Sequence, residues 1–421
     1  MTSESKRIAR IQADGILGEF DYEVGYPGDD QERMRLIYAP NGRGKTNFLK
    51  AVSAALTPSS EAMQVLLDAP FRRLEIEFRD GASILVERED ELIGKLTAAV
   101  RTVEDEPWYE VTIDPVDFGP RFFRRAWEGR PDLTNYARRV QQVSPGSVFI
   151  GDDRLAPSPP DDPRESGSNA PSRRRVGSLS RLLETVERML TQRAVAGLSG
   201  EGEQTGIYSQ ITKTTLTGTT PMLAAAARAA LETQIKSILL KGAPLERYGL
   251  FSMRQVRDIS EQINATRANA SKLKNVHTIL SPYFDSLETQ IVALGKAYTL
   301  IDTYVTSVNH FLDRKQLRFS ASRGIDLVGR DSTRLDPESL SSGERHLLLL
   351  LSRSVLAIDE GPLVIIDEPE LSLGIEWQRD LLPELLRCSS PGSVQFLIAS
   401  HSLQIMNAVS RDDIIQPSEP E

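Results

Sequence analysis

Cysteine is almost missing from this chain: Cys388 is the only one in 421 residues. A single thiol excludes an internal disulfide framework and leaves no cysteine cluster for a metal site, so a reducing cytoplasm is the simplest home. Long apolar runs are missing too. Nothing approaches the ~18 consecutive apolar residues of a membrane span, and the opening MTSESKRIARIQADG has a charged start with no apolar stretch behind it, as a secretory signal would need. No membrane partner is expected. Nor is there a surplus of positive charge: the net charge is −9, so the molecule as a whole is not built to coat itself in nucleic acid, although local basic patches keep DNA open as a partner.

What is present is the composition of a soluble globular protein, 40% hydrophobic and 26% charged, with a length that gives a prior of two or three domains. Residues 1–155 read mainly as strands and loops. The alternating segments Arg73–Phe78 and Ser83–Arg88 meet at Arg79-Asp80-Gly81 as a hairpin. Leu36-Ile37-Tyr38 is a short buried-type strand, and a helix is predicted from Thr46 onward. Composition breaks at residues 156–178, a Pro-, Ser- and charge-rich stretch without periodicity that reads as a linker or loop. Residues 179–315 form a helical insertion in this reading. Two seams, Val256 to Leu280 and Leu287 to Leu312, alternate spacings of three and four. Between them Ser281 is placed as an N-cap and Pro282 as a first helical residue, which predicts a short antiparallel coiled-coil hairpin with arms of ~45 Å. His277 falls on the first seam and reads as a packed or helix-end residue. Residues 316–421 return to strands and α/β units.

The chemistry lies in both outer segments. Ala39-Pro40-Asn41-Gly42-Arg43-Gly44-Lys45-Thr46 fits GxxxxGK[ST] except at its first position. Such a loop turns backbone N–H groups toward a phosphate, lets Lys45 neutralise β and γ oxygens, and offers the Thr46 hydroxyl to magnesium. Asn41, Gly42, Arg43, Gly44, Lys45 and Thr46 are the candidate nucleotide-binding residues. Glycine is required only at positive φ or under a phosphate, so Ala39 costs little if its φ is negative. The apolar strand Leu363–Ile366 ends in Asp367 and Glu368, the form of a Walker B motif. There Asp367 would hold magnesium, and Glu368 would polarise an attacking water. Leu340-Ser341-Ser342-Gly343-Glu344 precedes an apolar helix; Ser341, Ser342 and Gly343 would present hydroxyls and an amide to an anion at the helix N-terminus, or Ser341 or Ser342 would simply cap it. The strand Val394–Ile398 delivers His401, which can hydrogen-bond a γ-phosphate.

Four motifs in this order, each on its proper element, resemble the ABC-type ATPases of the SMC, RecF and OLD-like branch, in which a helical insertion splits the ATPase. The run IDEPELSLGIEWQRDLL followed by LIASHSLQIMN is similar to a group of stand-alone bacterial ATP-binding proteins. The resemblance covers residues 5–155 and 316–415, and the helical middle only in kind. It implies an α/β fold: an ABC-type P-loop ATPase head with an antiparallel β subdomain and an inserted helical hairpin. It also implies ATP and Mg2+ as cofactors, hydrolysis of ATP to ADP and phosphate with Glu368, His401 and Lys45 catalytic, and a homodimer in which Ser341, Ser342 and Gly343 act in trans on nucleotide at Lys45. Higher oligomers stay open. Two departures stand out: Asp153 occupies the place of the family's Q-loop glutamine, as a candidate metal ligand beside Thr46 and Asp367, and Gly374 stands where relatives often carry histidine.

The resemblance points to a sensor or scaffold in anti-phage defence or a DNA-associated process, controlling a separate effector such as a nuclease, because only Ser402–Glu421 follow His401. The alternative is a DNA repair or maintenance ATPase; a transporter subunit is disfavoured by the long helical insertion. Three further features read blandly. Arg121–Trp127 mixes cations and aromatics as single-strand binders do, but more often such a run is a helix with one packed face. Arg173–Arg175 touch phosphate or an acidic partner, or keep a loop soluble. Trp377 reads as core.

Overall fold

The structure, a computed structural model, describes residues 6–27, 33–89, 92–103, 106–115, 129–144, 146–151, 177–199, 224–265, 270–360, 363–390 and 394–419. The chain divides into two compact units, one of Met1–Leu179 with Leu340–Glu421 and one of Ser180–Ser339. The first unit is therefore discontinuous in sequence, and the second is inserted into it. Asp153, Arg121–Trp127, Arg173–Arg175 and residues 156–176 lie outside the described residues.

The first unit opens with β1 (Ile8–Ile16), β2 (Phe20–Gly25) and β3 (Met34–Tyr38), then α1 (Lys45–Leu56) and α2 (Ser60–Asp68). It continues through β4 (Arg73–Phe78), β5 (Ser83–Glu87), β6 (Leu96–Arg101), β7 (Tyr109–Ile113), α3 (Pro131–Val143) and β8 (Ser147–Ile150). Strands β1, β2 and β4–β7 make an antiparallel sheet in the order β2-β1-β4-β5-β6-β7. The β4–β5 hairpin pairs Leu74 with Val86 and Ile76 with Ile84. It closes at Gly81, whose φ of 83° is one that only glycine adopts cheaply.

After the insertion come α8 (Ser342–Glu360), β11 (Leu363–Asp367), α9 (Ile375–Cys388), β12 (Gln395–Ser400), α10 (Leu403–Met406) and β13 (Ile414–Ile415). These strands join β3 and β8 in an all-parallel sheet ordered β13-β3-β12-β11-β8. Every residue of β11 and β12 is buried, which explains why both read as unbroken apolar runs: a parallel strand covered on both faces has no solvent side to alternate with. Helix α1 is the keystone. Eight of its twelve residues are buried, and Phe48, Leu49 and Val52 share one core with Ile11 and Ile76 of the antiparallel sheet and with Ile365 and Leu397 of the parallel one. Burying a side chain of that size contributes roughly 1.5–3 kcal/mol.

The second unit holds α4 (Ser178–Ser199, from Ser180 on), α5 (Ala224–Arg247), α6 (Arg254–Ala265), α7 (Ala270–Phe311) and the hairpin of β9 (Lys315–Ser320) with β10 (Gly324–Gly329). Here one expectation is corrected. Ser281-Pro282 starts no helix, because α7 runs unbroken for 42 residues with Pro282 inside it. Its partner is α5 rather than the 256–280 segment. Gln234 meets Asp285, Ser237 meets Glu288 and Tyr248 meets Asp302, so the two helices run parallel. An interior proline costs on the order of 3 kcal/mol, but Phe284, Ile291, Leu294, Ile301 and Val305 are all buried along α7, and that burial outweighs a local capping signal. The Ser281 hydroxyl accepts from Gln234 at 3.5 Å instead of capping. His277 is half-buried in mid-helix.

Candidate active site

Register brings the motif-bearing strand ends to one edge. Tyr38 of β3 pairs with Ser400 of β12, and Ala399 pairs with Asp367 of β11. The loops that leave these strands therefore begin side by side at the carboxyl edge of a parallel sheet, where open α/β folds bind ligands.

In the loop between β3 and α1, Gly42 and Gly44 have φ of 85° and 78°, whereas Ala39 is buried and does not have positive φ. The alanine thus sits where glycine's freedom is not used. Gly44 caps α1 without any side-chain hydrogen bond to the helix amides, leaving those donors and the helix dipole to an anion. Lys45, almost wholly buried, donates from Nζ to the carbonyls of Ala39 at 2.6 Å and Pro40 at 3.1 Å. Tyr22 braces the loop from below: its hydroxyl donates to the Arg43 carbonyl at 2.6 Å while its ring stacks on Phe48 at 4.5 Å. Burial pushes the Tyr22 phenol above the usual tyrosine range, and the nearby Arg43 charge partly offsets that. The Arg43 guanidinium lies over the Phe20 ring, 4.8 Å from its centroid. Asn41 is exposed at the turn.

The Thr46 hydroxyl donates to Asp367 Oδ2 at 2.6 Å, joining residues 321 positions apart. Asp367 is buried. The next residue, Glu368, has φ 50°, a left-handed conformation that costs a non-glycine residue roughly 1–2 kcal/mol. It is held by two backbone bonds, Glu368 N–H to the Ala399 carbonyl at 2.9 Å and Leu371 N–H to the Glu368 carbonyl at 3.2 Å. His401 follows β12 with Nδ1 3.7 Å from Glu368 Oε1 and 3.1 Å from Glu370 Oε1. A cavity of about 690 Å3 opens beside Thr46 and Asp367, walled by Lys50, Glu61, Gly151 and Arg353. Gly151 is the last described residue before the stretch that contains Asp153.

At the start of α8, Ser341 is the cap. Its hydroxyl accepts from Glu344 N–H at 3.3 Å, and Glu344 Oε2 takes back the Ser341 N–H and hydroxyl, each at 2.8 Å, a reciprocal capping box. Ser342 is exposed. Gly343 has a second reason for being glycine: a Cβ there would fall 2.7 Å from the Ser372 carbonyl oxygen and 3.3 Å from the Trp377 ring. Trp377 is accordingly half-buried against the signature turn rather than in the core.

Three contributors were not singled out from the sequence. Tyr22 is one. Buried His346 of α8 is another, with Nε2 3.0 Å from the Pro369 carbonyl. The third is Glu370, whose carboxylate accepts from the Ser400 hydroxyl at 2.8 Å and the His401 amide at 2.9 Å. The run PEL that follows the Walker B pair was the available signal, since a charged residue just after two fully buried strand ends calls for a buried partner.

The arrangement, a phosphate loop, a carboxylate-ended strand and a capped serine-glycine helix start around one parallel sheet, is that of a P-loop fold. It resembles ABC-type ATPase heads of the SMC- and RecF-like branch in having a separate helical unit between phosphate loop and signature. Among known proteins, a family model described as an AAA domain, putative AbiEii toxin, Type IV TA system, matches residues 253–407, a span that includes the signature, the Walker B pair and His401. The probable ATPase of retron Ec83 from Escherichia coli is 27% identical over 99 residues, 21% of this chain and 18% of that protein. This chain thus matches less than a fifth of that relative's length. Among solved structures, the Smc head domain of Pyrococcus furiosus, bound to the C-terminal domain of ScpA, aligns at TM-score 0.40 and 12% identity over 98% of this chain and 96% of that one. The SMC head of Thermotoga maritima aligns at 0.33 and 12% over 99% of each.

Proposed function

We propose that this protein binds ATP with Mg2+ at the loop of residues 39–46 and hydrolyses it to ADP and phosphate. The observation that carries this reading is the 2.6 Å contact between Thr46 and Asp367, which joins the phosphate loop to the Walker B strand through two hard oxygen donors. That pair suits Mg2+, which takes one or two protein oxygens and completes its shell from substrate phosphates and water. Among the described residues no group of three or more His, Cys, Asp or Glu side chains could hold a metal by itself. Bound there, Mg2+ would neutralise phosphate charge as it develops. The chain supplies the rest. Lys45 exchanges its two carbonyl partners for phosphate oxygens, the free amides at the start of α1 cradle the β-phosphate, Glu368 orients the attacking water, and His401 reaches the γ-phosphate.

Two such heads would close on ATP, with Ser341, Ser342 and Gly343 of one facing the nucleotide of the other. Exposed Ser342 beside a capped helix start supports that placement. The matched family description and the retron ATPase relative support a defence role, in which nucleotide-driven closure controls a separate effector such as a nuclease, with DNA as a further partner. No helix of the described residues is long and apolar enough to cross a membrane. Phosphate release measured for wild type, Lys45→Ala and Glu368→Gln tests the catalytic reading: turnover should vanish in both variants, with ATP-dependent dimers accumulating in Glu368→Gln by light scattering. Undiminished turnover in Glu368→Gln overturns the assignment of the water-orienting residue, and wild-type turnover in Ser342→Arg overturns the trans site.

A further inference from the structure

The geometry points to Glu370 as a positioning residue that dictates which ring nitrogen of His401 carries a proton. Four facts support this. Glu370 is 6% exposed, so its carboxylate must find its donors inside the protein. Two come from one short segment, the Ser400 hydroxyl at 2.8 Å and the His401 amide at 2.9 Å, and His401 Nδ1 lies 3.1 Å from the same Oε1, while Oε2 has no hydrogen-bond partner among the described residues. Glu370 in turn belongs to a rigid turn, in which Leu373 N–H bonds to the Glu370 carbonyl at 3.0 Å and the carbonyl of the preceding Pro369 is held by buried His346. Finally, the segment that carries His401 is pinned on its far side, because Ser402 N–H donates to Ser400 Oγ at 3.0 Å and the Ser402 hydroxyl to Gln378 at 2.7 Å.

An ionised carboxylate only accepts hydrogen bonds. With Nδ1 3.1 Å from such an acceptor, a neutral ring that places its proton on Nδ1 satisfies the carboxylate and leaves Nε2 as the nitrogen free to accept. Turning the ring over to offer the other nitrogen would carry Nδ1 away from the buried Glu370 carboxylate. In histidines of this kind the partner of one nitrogen decides what the other can do. Glu370 thus presents Nε2 as the nitrogen that faces substrate. The role of that nitrogen rests on the ATPase reading above, whereas the assignment of the proton does not. Glu368 Oε1, 3.7 Å from the same Nδ1, competes for the proton at longer range, and Glu370 keeps the ring from being captured by the water-orienting carboxylate.

The test uses the full chain labelled with 15N at its four histidines, with His401 assigned by the signal lost in His401→Gln. Long-range proton–nitrogen correlation of wild type without nucleotide should show His401 with its proton on Nδ1. In Glu370→Gln the carboxamide can donate as well as accept, so it no longer dictates the proton's place. The Nε2–H form should appear there, kcat for ATP should fall roughly 10–100-fold, as for the loss of other histidine-orienting partners, and KM should stay within about twofold. Ser400→Ala removes a donor from the same carboxylate and should leave the His401 tautomer unchanged, which a merely structural Glu370 would not distinguish from Glu370→Gln. If Glu370→Gln does not fold, Glu370→Asp, with its carboxylate drawn back from the ring, carries the same comparison. An unchanged His401 tautomer in the folded variant overturns the proposal, and a changed tautomer with unchanged kcat overturns its link to turnover. Absence of turnover in wild type would instead refute the ATPase reading, with the tautomer comparison still deciding the role of Glu370.

Discussion

The two positive-φ glycines of the phosphate loop should fail differently when each is replaced by alanine. At Gly44, φ is 78°, and an added Cβ would lie 2.5 Å from Ile16 Cγ2 and 3.3 Å from Leu17 Cδ1. Ile16 is 1% exposed in β1 and has nowhere to move. A left-handed alanine costs roughly 1–2 kcal/mol, and overpacking a tight site adds roughly 1–3 kcal/mol, so Gly44→Ala should lose about 2–5 kcal/mol. Gly42 has φ 85° and nothing within 4 Å of its added Cβ, so Gly42→Ala pays only the backbone part, about 1–2 kcal/mol. The difference isolates the clash with Ile16. Thermal unfolding of both variants measures it: at roughly 2–4 °C per kcal/mol for a unit of this size, Gly44→Ala should melt several degrees below Gly42→Ala. Gly42→Ala should fold and yet bind a fluorescent ATP analogue poorly, because its methyl occupies the open face where a phosphate would approach. Equal melting temperatures, or a more stable Gly44→Ala, would refute the packing argument.

Other consequences are smaller and separable. Ser341→Ala breaks the capping box and should destabilise by about 1 kcal/mol in chemical denaturation, whereas Ser342→Ala, which caps nothing, should leave the midpoint in place; equal losses would show that the cap is misassigned. Tyr22→Phe keeps the stack on Phe48 and deletes only the bond to the Arg43 carbonyl, so it should cost about 0.5–1.5 kcal/mol. A loss near that of a cavity-forming Tyr22→Ala would contradict the split. Tyr136 is fully buried, and its hydroxyl has no hydrogen-bond partner among the described residues; its phenol is pushed upward by burial. The unfolded phenol ionises near pH 10 while the folded one resists, so this contribution to stability is complete below about pH 10 and is lost as pH rises further. Tyr136→Phe should therefore match or exceed wild-type stability at pH 7 and flatten the alkaline loss. A sharper alkaline loss in that variant would reverse the sign.

Much of this molecule was legible in its residues. Lys45 and Thr46 open a helix after a buried strand, and Asp367 and Glu368 end another. Gly42 and Gly44 have the positive φ that reserves a position for glycine, while Ala39 does not, so the alanine that departs from the motif needs no special account. These features are local: period, turn chemistry and the identity of strand-end residues are set within a few positions, and a linear reading reaches them.

Where the determinant was a distant contact, the linear reading failed or was silent. Ser281-Pro282 is a sound helix start by propensity, but burial of Phe284 and Leu294 against neighbouring helices carries α7 straight through it, and α7 pairs in parallel with α5 rather than folding back on the preceding segment. Trp377 looked like core until Gly343 was seen to press the signature turn against it. Glu370 was not singled out in the sequence, yet the tertiary fold sets it beside Ser400 and His401. The sequence by itself determined which groups this protein could bring to a phosphate. The tertiary structure decided which residues hold those groups in place, because a hydrogen bond or a packed ring between positions hundreds of residues apart leaves no periodic trace along the chain.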